Sequence, residues 1–180
     1  MRVLFLDFDG VLNNHRKQRN GFNSLCRDNV RCLNRVLEAV PDLMLVISSA
    51  WRYYVHNGHM TSTGLERLMQ THGVSCYQRV HGVTEPDGKH PVVLDGRTWD
   101  EITDEEREAL HDWGALERVR QIRAYIDAHG VSRWAVVDDM ELPIEHLFQT
   151  ESAVGLTDRI ASKIASHFPT PPTEDTPNES

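Results

Sequence analysis

Three short apolar runs, each followed at once by polar side chains, constrain the fold of this 180-residue chain more than any other feature. The runs cover residues 3–6, 43–47 and 134–137 and consist mainly of aliphatic and aromatic side chains. Continuous apolar runs of this length are typical of strands that a sheet buries on both faces. The polar residues that follow them are Asp7 and Asp9, Ser48 and Ser49, and Asp138 and Asp139.

Segments with helical spacing of apolar residues separate these runs. They cover residues 25–40, 63–72 and 115–129, and Thr157 is placed to cap a last helix that ends near Phe168. Strands that alternate with helices predict a three-layer α/β/α, Rossmann-like parallel sheet. In such a sheet the carboxyl ends of the strands lie at one edge, where ligands bind, so the three polar groups are expected to converge there.

Composition narrows the classes of function. The formal net charge of −8 argues against broad attraction to nucleic acid or to anionic membranes. No apolar run approaches the ~18 residues of a membrane span, so neither a transmembrane helix nor a membrane partner is expected. The N-terminus lacks the layout of a signal peptide. Three cysteines without paired spacing predict reduced thiols and a cytoplasmic location. No stable protein partner is predicted.

The chain is predicted to form one domain over residues 1–168, followed by a disordered tail at 169–180 that is rich in Pro, Thr and acids. Within the domain, residues 84–114 differ in composition and predict an insertion with one short helix, for which Thr103 and Glu106 would form a capping box. This insertion is either a lid over the site or a decorated loop.

The segment Asp7-Phe8-Asp9-Gly10 carries the chemistry at the first strand end. Two carboxylates buried together repel each other unless a cation compensates them, and oxygen ligands of this kind suit Mg²⁺. One aspartate can attack phosphorus while the other transfers a proton. The alternative interpretation is an acidic turn in which Asp9 and Gly10 serve only as turn residues.

Residues 5–12, FLDFDGVL, resemble the first motif of the haloacid dehalogenase (HAD) superfamily of phosphohydrolases. Residues 46–49, VISS, resemble its second motif, and residues 136–139, VVDD, resemble its fourth. The segment 47–52, ISSAWR, is similar more narrowly to the small HAD domains of the Swiss-army-knife RNA-repair group. The resemblance covers about residues 1–165 and implies a HAD-like fold with a small insertion rather than a large cap domain.

The resemblance implies a role for each residue of the first two motifs. Asp7 would be the nucleophile that forms an aspartyl-phosphate, and it would also bind Mg²⁺. Asp9 would protonate the leaving oxygen and then activate water, and its backbone carbonyl would contact the metal. Ser48, with Ser49 as the substitute, would donate a hydrogen bond to the transferring phosphoryl group.

In the fourth motif, the resemblance implies that Asp139 ligates Mg²⁺ and that Asp138 orients water or the basic residue of the site. That basic residue is usually a lysine, which the helix at 115–129 lacks. Arg118 is expected to bind phosphate in its place, with Arg120 as the alternative, because a guanidinium can hold phosphate through two hydrogen bonds. The other interpretation of Arg118 is an exposed arginine on an amphipathic helix.

The expected function is therefore that of a Mg²⁺-dependent phosphomonoester hydrolase. Its substrate would be a phosphorylated small molecule, such as a nucleotide, or a phosphorylated nucleic-acid end. Trp51 and Arg52 would line the substrate pocket by stacking on a base, or Trp51 would only pack beneath the site. The alternative function, favoured by the missing lysine, is a catalytically weak or inactive HAD-fold module for binding or regulation.

Overall fold

The structure, a computed structural model, describes residues 1–14, 25–85 and 103–168. The predicted tail and residues 86–102 of the predicted insertion lie outside the described residues. The strands are β1 (Arg2–Leu6), β2 (Leu43–Ile47), β3 (Val80–Val83), β4 (Arg133–Asp138) and β5 (Leu147–Gln149). The helices are α1 (Arg27–Ala39), α2 (Arg52–His56), α3 (Ser62–Thr71), α4 (Asp104–His129) and α5 (Asp158–His167).

The five strands form one all-parallel sheet in the order β3-β2-β1-β4-β5. β1 lies at the centre, and its last residue, Leu6, is opposite Ile47 of β2 and Val137 of β4. The carboxyl ends of the three central strands are therefore level. Because the chain leaves the three strands at the same height in the sheet, the residue that follows β1 lies between the residues that come after Ile47 and Val137.

Helices cover both faces of the sheet, as the alternation of side chains along β1 requires. Leu4 and Leu6 face a core cluster that includes buried side chains of α1, α3 and α5. Val3 and Phe5 face a second cluster that contains residues of α4. The arrangement is the predicted three-layer α/β/α fold, with the core divided between the two sides of the sheet.

Most helices lie where the spacing predicts them, and Thr157 caps α5 by accepting a hydrogen bond from the backbone NH of Ile160. The exception is α4, which begins at Asp104, so the short helix expected within the insertion is continuous with the one expected from residue 115. The predicted insertion ends at Gly114, directly before the helix predicted at 115–129. A single glycine inside a helix costs only about 1 kcal/mol relative to alanine, which is too little to end it here.

The helical spacing of apolar residues over 115–129 would allow Leu116, Val119 and Ile122 to share the buried face of α4. Val119 and Ile122 are buried, but Leu116 is 60% exposed, and Ala115 and Tyr125 are buried instead. One residue corresponds to about 100° of rotation on a helix, so residues 115 and 116 face different directions. No helix in the described ranges is both long and apolar enough to cross a membrane.

Candidate active site

The level strand ends place polar residues side by side along one edge of the sheet. The backbone NH of Asp7 donates to the carbonyl of Val137 at 3.0 Å, and the backbone NH of Ser48 donates to the carbonyl of Leu6 at 3.0 Å. The ladder thus continues one residue beyond each strand and fixes the positions of Asp7 and Ser48. The three polar groups expected from the sequence do meet at this edge, which we call the carboxyl rim.

Three carboxylates form the centre of the carboxyl rim. One oxygen from each of Asp7, Asp138 and Asp139 lies within 4.8 Å of the others. Asp7 and Asp138 are buried, and Asp139 is partly exposed. Burial and then the charge of Asp7 raise the pKa of Asp138, and burial is also the main cause of the raised pKa of Asp139. The site therefore concentrates negative charge that is costly in the absence of a cation.

Arg118 of α4 is the cation that contacts this cluster. Its Nη1 atom donates to Asp7 Oδ2 at 3.0 Å and to Asp138 Oδ2 at 2.5 Å, and its side chain is only 12% exposed. Burial alone would lower the pKa of Arg118, but the charges of Asp7 and Asp138 raise it above its ordinary value. Arg120 instead pairs with Glu117 one turn away on the same helix. The structure thus brings Arg118, and not Arg120, to the predicted aspartates.

The hydrogen bonds of the two adjacent aspartates differ. Asp138 accepts from the backbone NH of Met140 through Oδ1 and from Arg118 through Oδ2, so both of its oxygens are engaged. Asp139 accepts from the Ser152 hydroxyl through Oδ2 at 2.5 Å. Arg118 supplies one positive charge, whereas the cluster contains three carboxylates. The atoms that the cluster could offer to a metal ion are all carboxylate oxygens. Such a set suits a hard divalent cation.

Asp9 does not belong to the carboxylate cluster. Its Oδ1 atom accepts a hydrogen bond from Asn13 Nδ2 at 2.7 Å, and Asn13 Oδ1 accepts from the backbone NH of Gly10 at 3.3 Å. Asn13 is buried, and it fixes the side chain of Asp9 across the turn that follows β1. Sequence reasoning missed Asn13, although its spacing four residues after an aspartate at a turn is a usable signal.

The two serines of the second strand end have different surroundings. Both are fully buried, but Ser49 Oγ accepts a hydrogen bond from the backbone NH of Trp51 at 3.3 Å, whereas Ser48 Oγ has no hydrogen-bond partner among the described residues. Trp51 packs against the ring of Phe8 with their centroids 4.9 Å apart. Ser48 therefore keeps a free hydroxyl beside Asp7, while Ser49 shapes the turn.

Two further residues stabilise the carboxyl rim and carry no signal in the sequence pattern. Thr150, which follows β5, donates its hydroxyl hydrogen to the carbonyl of Gly10 at 2.8 Å and its backbone NH to the carbonyl of Asp138 at 2.9 Å. Ser152 binds Asp139 as described above. Both residues tie the loop after the edge strand to the central site, a contact that depends on strand order.

A comparison with protein families identifies a family that the chain matches. The family model described as "HAD domain in Swiss Army Knife RNA repair proteins" matches residues 3–161, a range that includes β2 to β5, β1 apart from Arg2, and all the aspartates of the carboxyl rim. Searches among curated proteins and solved structures returned no match. Because the family model spans most of the chain, the chain belongs to the family of HAD domains found in Swiss Army Knife RNA repair proteins.

Proposed function

We propose that this HAD-type phosphohydrolase domain is a Mg²⁺-dependent phosphomonoesterase that acts through an aspartyl-phosphate on Asp7. The observation that carries the proposal is the meeting of Asp7, Asp138 and Asp139 at one point, with Arg118 bound to two of them. Family membership supports phosphohydrolase chemistry in general. The hydrogen bond from Arg118 Nη1 to Asp7 Oδ2 leaves the other carboxylate oxygen of Asp7 available for attack on phosphorus.

In the first half of the reaction, a carboxylate oxygen of Asp7 attacks phosphorus. The bond between phosphorus and the ester oxygen breaks, and Asp9 gives that oxygen a proton, so that an alcohol leaves. In the second half, Asp9 takes a proton from water, whose oxygen attacks the phosphorus of the aspartyl-phosphate. Inorganic phosphate leaves and Asp7 is restored. The hydrogen bond from Asn13 to Asp9 Oδ1 leaves the other carboxylate oxygen for this proton.

Asp7 and Asp139, together with the backbone carbonyl of Asp9, are the groups we propose as ligands of Mg²⁺. When bound, the ion would offset the repulsion between a phosphate and the carboxylates and polarise the phosphoryl oxygens. Asp138 is the less suitable ligand because both of its oxygens already accept hydrogen bonds. Its role in the proposal is to hold Arg118 against Asp7. Ser48 would donate a hydrogen bond from its hydroxyl to the phosphoryl group.

The substrate we propose is a phosphorylated nucleic-acid end or a nucleotide. The family's description names RNA repair, and a broken strand whose 3′ end carries a phosphate can be joined through a 3′-hydroxyl only after that phosphate is removed. A small phosphorylated metabolite is the other candidate. The buried free thiols Cys26, Cys32 and Cys76 support the reducing, cytoplasmic compartment predicted from the sequence.

The test is phosphate release from an aryl phosphate, nucleotides, sugar phosphates and 3′- or 5′-phosphorylated oligonucleotides, with and without Mg²⁺. We expect Mg²⁺-dependent turnover that Asp7→Asn abolishes, and a preference for the oligonucleotides. Asp127→Asn, an exposed acid on α4, is the matched control and should keep full activity. Equal turnover by the Asp7→Asn variant would rule the mechanism out, and no turnover on any substrate would favour the binding or regulatory module.

A further inference from the structure

Arg52, the first residue of α2, is a buried cation that contacts no anionic side chain in the part of the chain that the structure describes. It is only 5% exposed, yet no carboxylate pairs with it among the described residues. Its Nη1 atom donates to the backbone carbonyl of Ser48 at 2.7 Å, and its Nη2 atom lies 3.5 Å from the Tyr53 hydroxyl. Its Nε atom is buried and has no partner within the described part of the chain. Arg118, similarly buried, has two carboxylates.

The burial of this guanidinium is costly, because the carbonyl of Ser48, the Tyr53 hydroxyl and the Tyr53 ring, whose centroid lies 4.7 Å from Arg52 Cζ, replace its hydration but supply no negative charge. This desolvation lowers the pKa of Arg52, and the nearby charge of Arg118 lowers it further, while Tyr53 and Asp7 act in the opposite direction. A buried donor that lacks a partner in the folded chain can be satisfied by a bound water, an ion or a ligand, and a guanidinium bonds most strongly to an anion. The groups around Arg52 indicate which anion would bind there.

The surroundings of Arg52 indicate an anion at the carboxyl rim. The hydroxyls of Ser48 and Thr84 are fully buried and have no hydrogen-bond partner within residues 1–14, 25–85 and 103–168, and these two residues directly follow the adjacent strands β2 and β3. Arg52 contacts the backbone of Ser48 and is close enough to Asp7 to interact with its charge. Unused donors on neighbouring residues beside the nucleophile form a suitable cradle for phosphate oxygens.

The predicted phosphate ligand, Arg118, is less suitable than Arg52 for this task. Its guanidinium is already engaged by Asp7 and Asp138, and a phosphate drawn onto it would compete with both carboxylates. Arg52 has a spare donor in Nε, and no carboxylate of the described segments bonds to it. A planar guanidinium can donate two parallel hydrogen bonds to a phosphoryl group, which an ammonium cannot do in the same geometry.

We propose that Arg52, together with Ser48 Oγ, binds the phosphoryl group of the substrate, and that Arg118 holds the two aspartates in place without binding phosphate. This inference rests on the proposed phosphomonoesterase function for the identity of the anion. The two arginines of the site then have different roles. Arg52 supplies the charge that recognises phosphate, and Arg118 orients Asp7 and Asp138 through its hydrogen bonds to both.

The test measures the binding of inorganic phosphate, in the presence of Mg²⁺, by calorimetry on the full chain. The variant is Arg52→Lys, which keeps the positive charge and can still bond to the Ser48 carbonyl but loses the guanidinium fork. Two charge-assisted hydrogen bonds contribute enough that we expect phosphate affinity to fall by about tenfold or more. The melting temperature should stay close to that of the wild type.

The matched control is Arg79→Lys. Arg79 also donates through Nη1 to a backbone carbonyl, that of Leu37 at 2.7 Å, but it precedes β3 and so lies at the opposite end of the sheet from the carboxyl rim. It should change phosphate affinity little. Ser48→Ala serves as a second variant if Arg52→Lys fails to fold, and it should also weaken phosphate binding without loss of structure.

The outcomes separate this inference from the proposed function. If Arg52→Lys binds phosphate as the wild type does, or if the wild type binds none, the inference is wrong. If phosphate binding depends on Arg52 but the wild type hydrolyses no ester, the inference holds and the proposed function fails. If Asp7-dependent turnover occurs with an unchanged KM in Arg52→Lys, the function holds and the inference fails.

Discussion

Gly10 lies so close to Asp139 that a Cβ atom built on Gly10 would be 2.2 Å from Asp139 Oδ2. The backbone of Gly10 also has φ +72°, in the left-handed region where side chains are unfavourable. The glycine after the two aspartates of the first motif thus serves two purposes. It allows the turn that follows β1, and it allows the strand end of β4 to bring Asp139 next to that turn.

A Gly10→Ala substitution should therefore destabilise the protein and displace Asp139. The left-handed φ alone costs about 1–2 kcal/mol. The close contact should add ~1–3 kcal/mol, as overpacking does elsewhere. Urea denaturation measures the sum. Gly58 is the matched control, because it has the same φ of +72° and nothing within 4 Å of an added Cβ atom. If Gly10→Ala and Gly58→Ala lower the free energy of unfolding by equal amounts, the close contact with Asp139 does not contribute to the destabilisation.

Removal of the Arg118 charge should cost far more than removal of a surface arginine on the same helix. Arg118→Met leaves Asp7 and Asp138 buried without their cation, a change that typically costs about 3–5 kcal/mol. Arg123→Met removes an ion pair with Glu145 in which both side chains are 57% exposed, and such pairs contribute ~0–1 kcal/mol. Thermal or urea unfolding of both variants without added metal measures the difference. Similar losses in the two variants would contradict a buried ion-pair role for Arg118.

Mg²⁺ should stabilise the folded protein through the carboxylate cluster. A ligand present at 100 times its Kd adds about 2.7 kcal/mol, which for a chain of this length raises Tm by roughly 5–10 °C. Differential scanning fluorimetry over a range of Mg²⁺ concentrations measures the shift. Asp139→Asn should remove most of it, and Asp127→Asn, on the exposed side of α4, should keep it. An equal shift in all three proteins would place the ion elsewhere.

Two buried cysteines should react slowly with iodoacetamide in the folded protein. Burial raises the pKa of Cys76 to about 12, and burial together with the hydrogen bond to Asp158 raises that of Cys32 to about 11. Because only the thiolate reacts, and an ordinary cysteine has a pKa near ~8.5, labelling at pH 8 should be slower by about a hundredfold or more. Peptide-resolved mass spectrometry measures each rate.

Urea should restore ordinary labelling rates at Cys32 and Cys76, because unfolding returns both thiols to water. Rapid labelling of either cysteine in the folded state, at the rate of an unstructured peptide, would show that its surroundings open easily.

The fold and the place of the site followed from the pattern of the chain. Buried strands need apolar residues on both faces, and helices need apolar residues every three or four positions, so both leave periodic signals. The polar ends of the runs near residues 6, 47 and 137 therefore predicted both the parallel sheet and the convergence of Asp7, Ser48 and Asp138. The boundary within α4 could not be predicted, because Gly114 fits either a break or a helix interior.

The order of residue types along the chain is enough to predict that carboxylates and hydroxyls follow the strands and therefore meet at one edge of the sheet. The contacts that each of these groups makes are known only from the folded chain. Arg118 reaches Asp7 across 111 positions of the chain, Asn13 binds Asp9, and Arg52 is buried with no carboxylate bonded to it among the described residues. Such contacts depend on the angle at which a helix packs on the sheet and on which hydrogen bonds remain unfilled. Neither the packing angle of a helix nor the set of unfilled hydrogen bonds produces a periodic pattern in a single sequence.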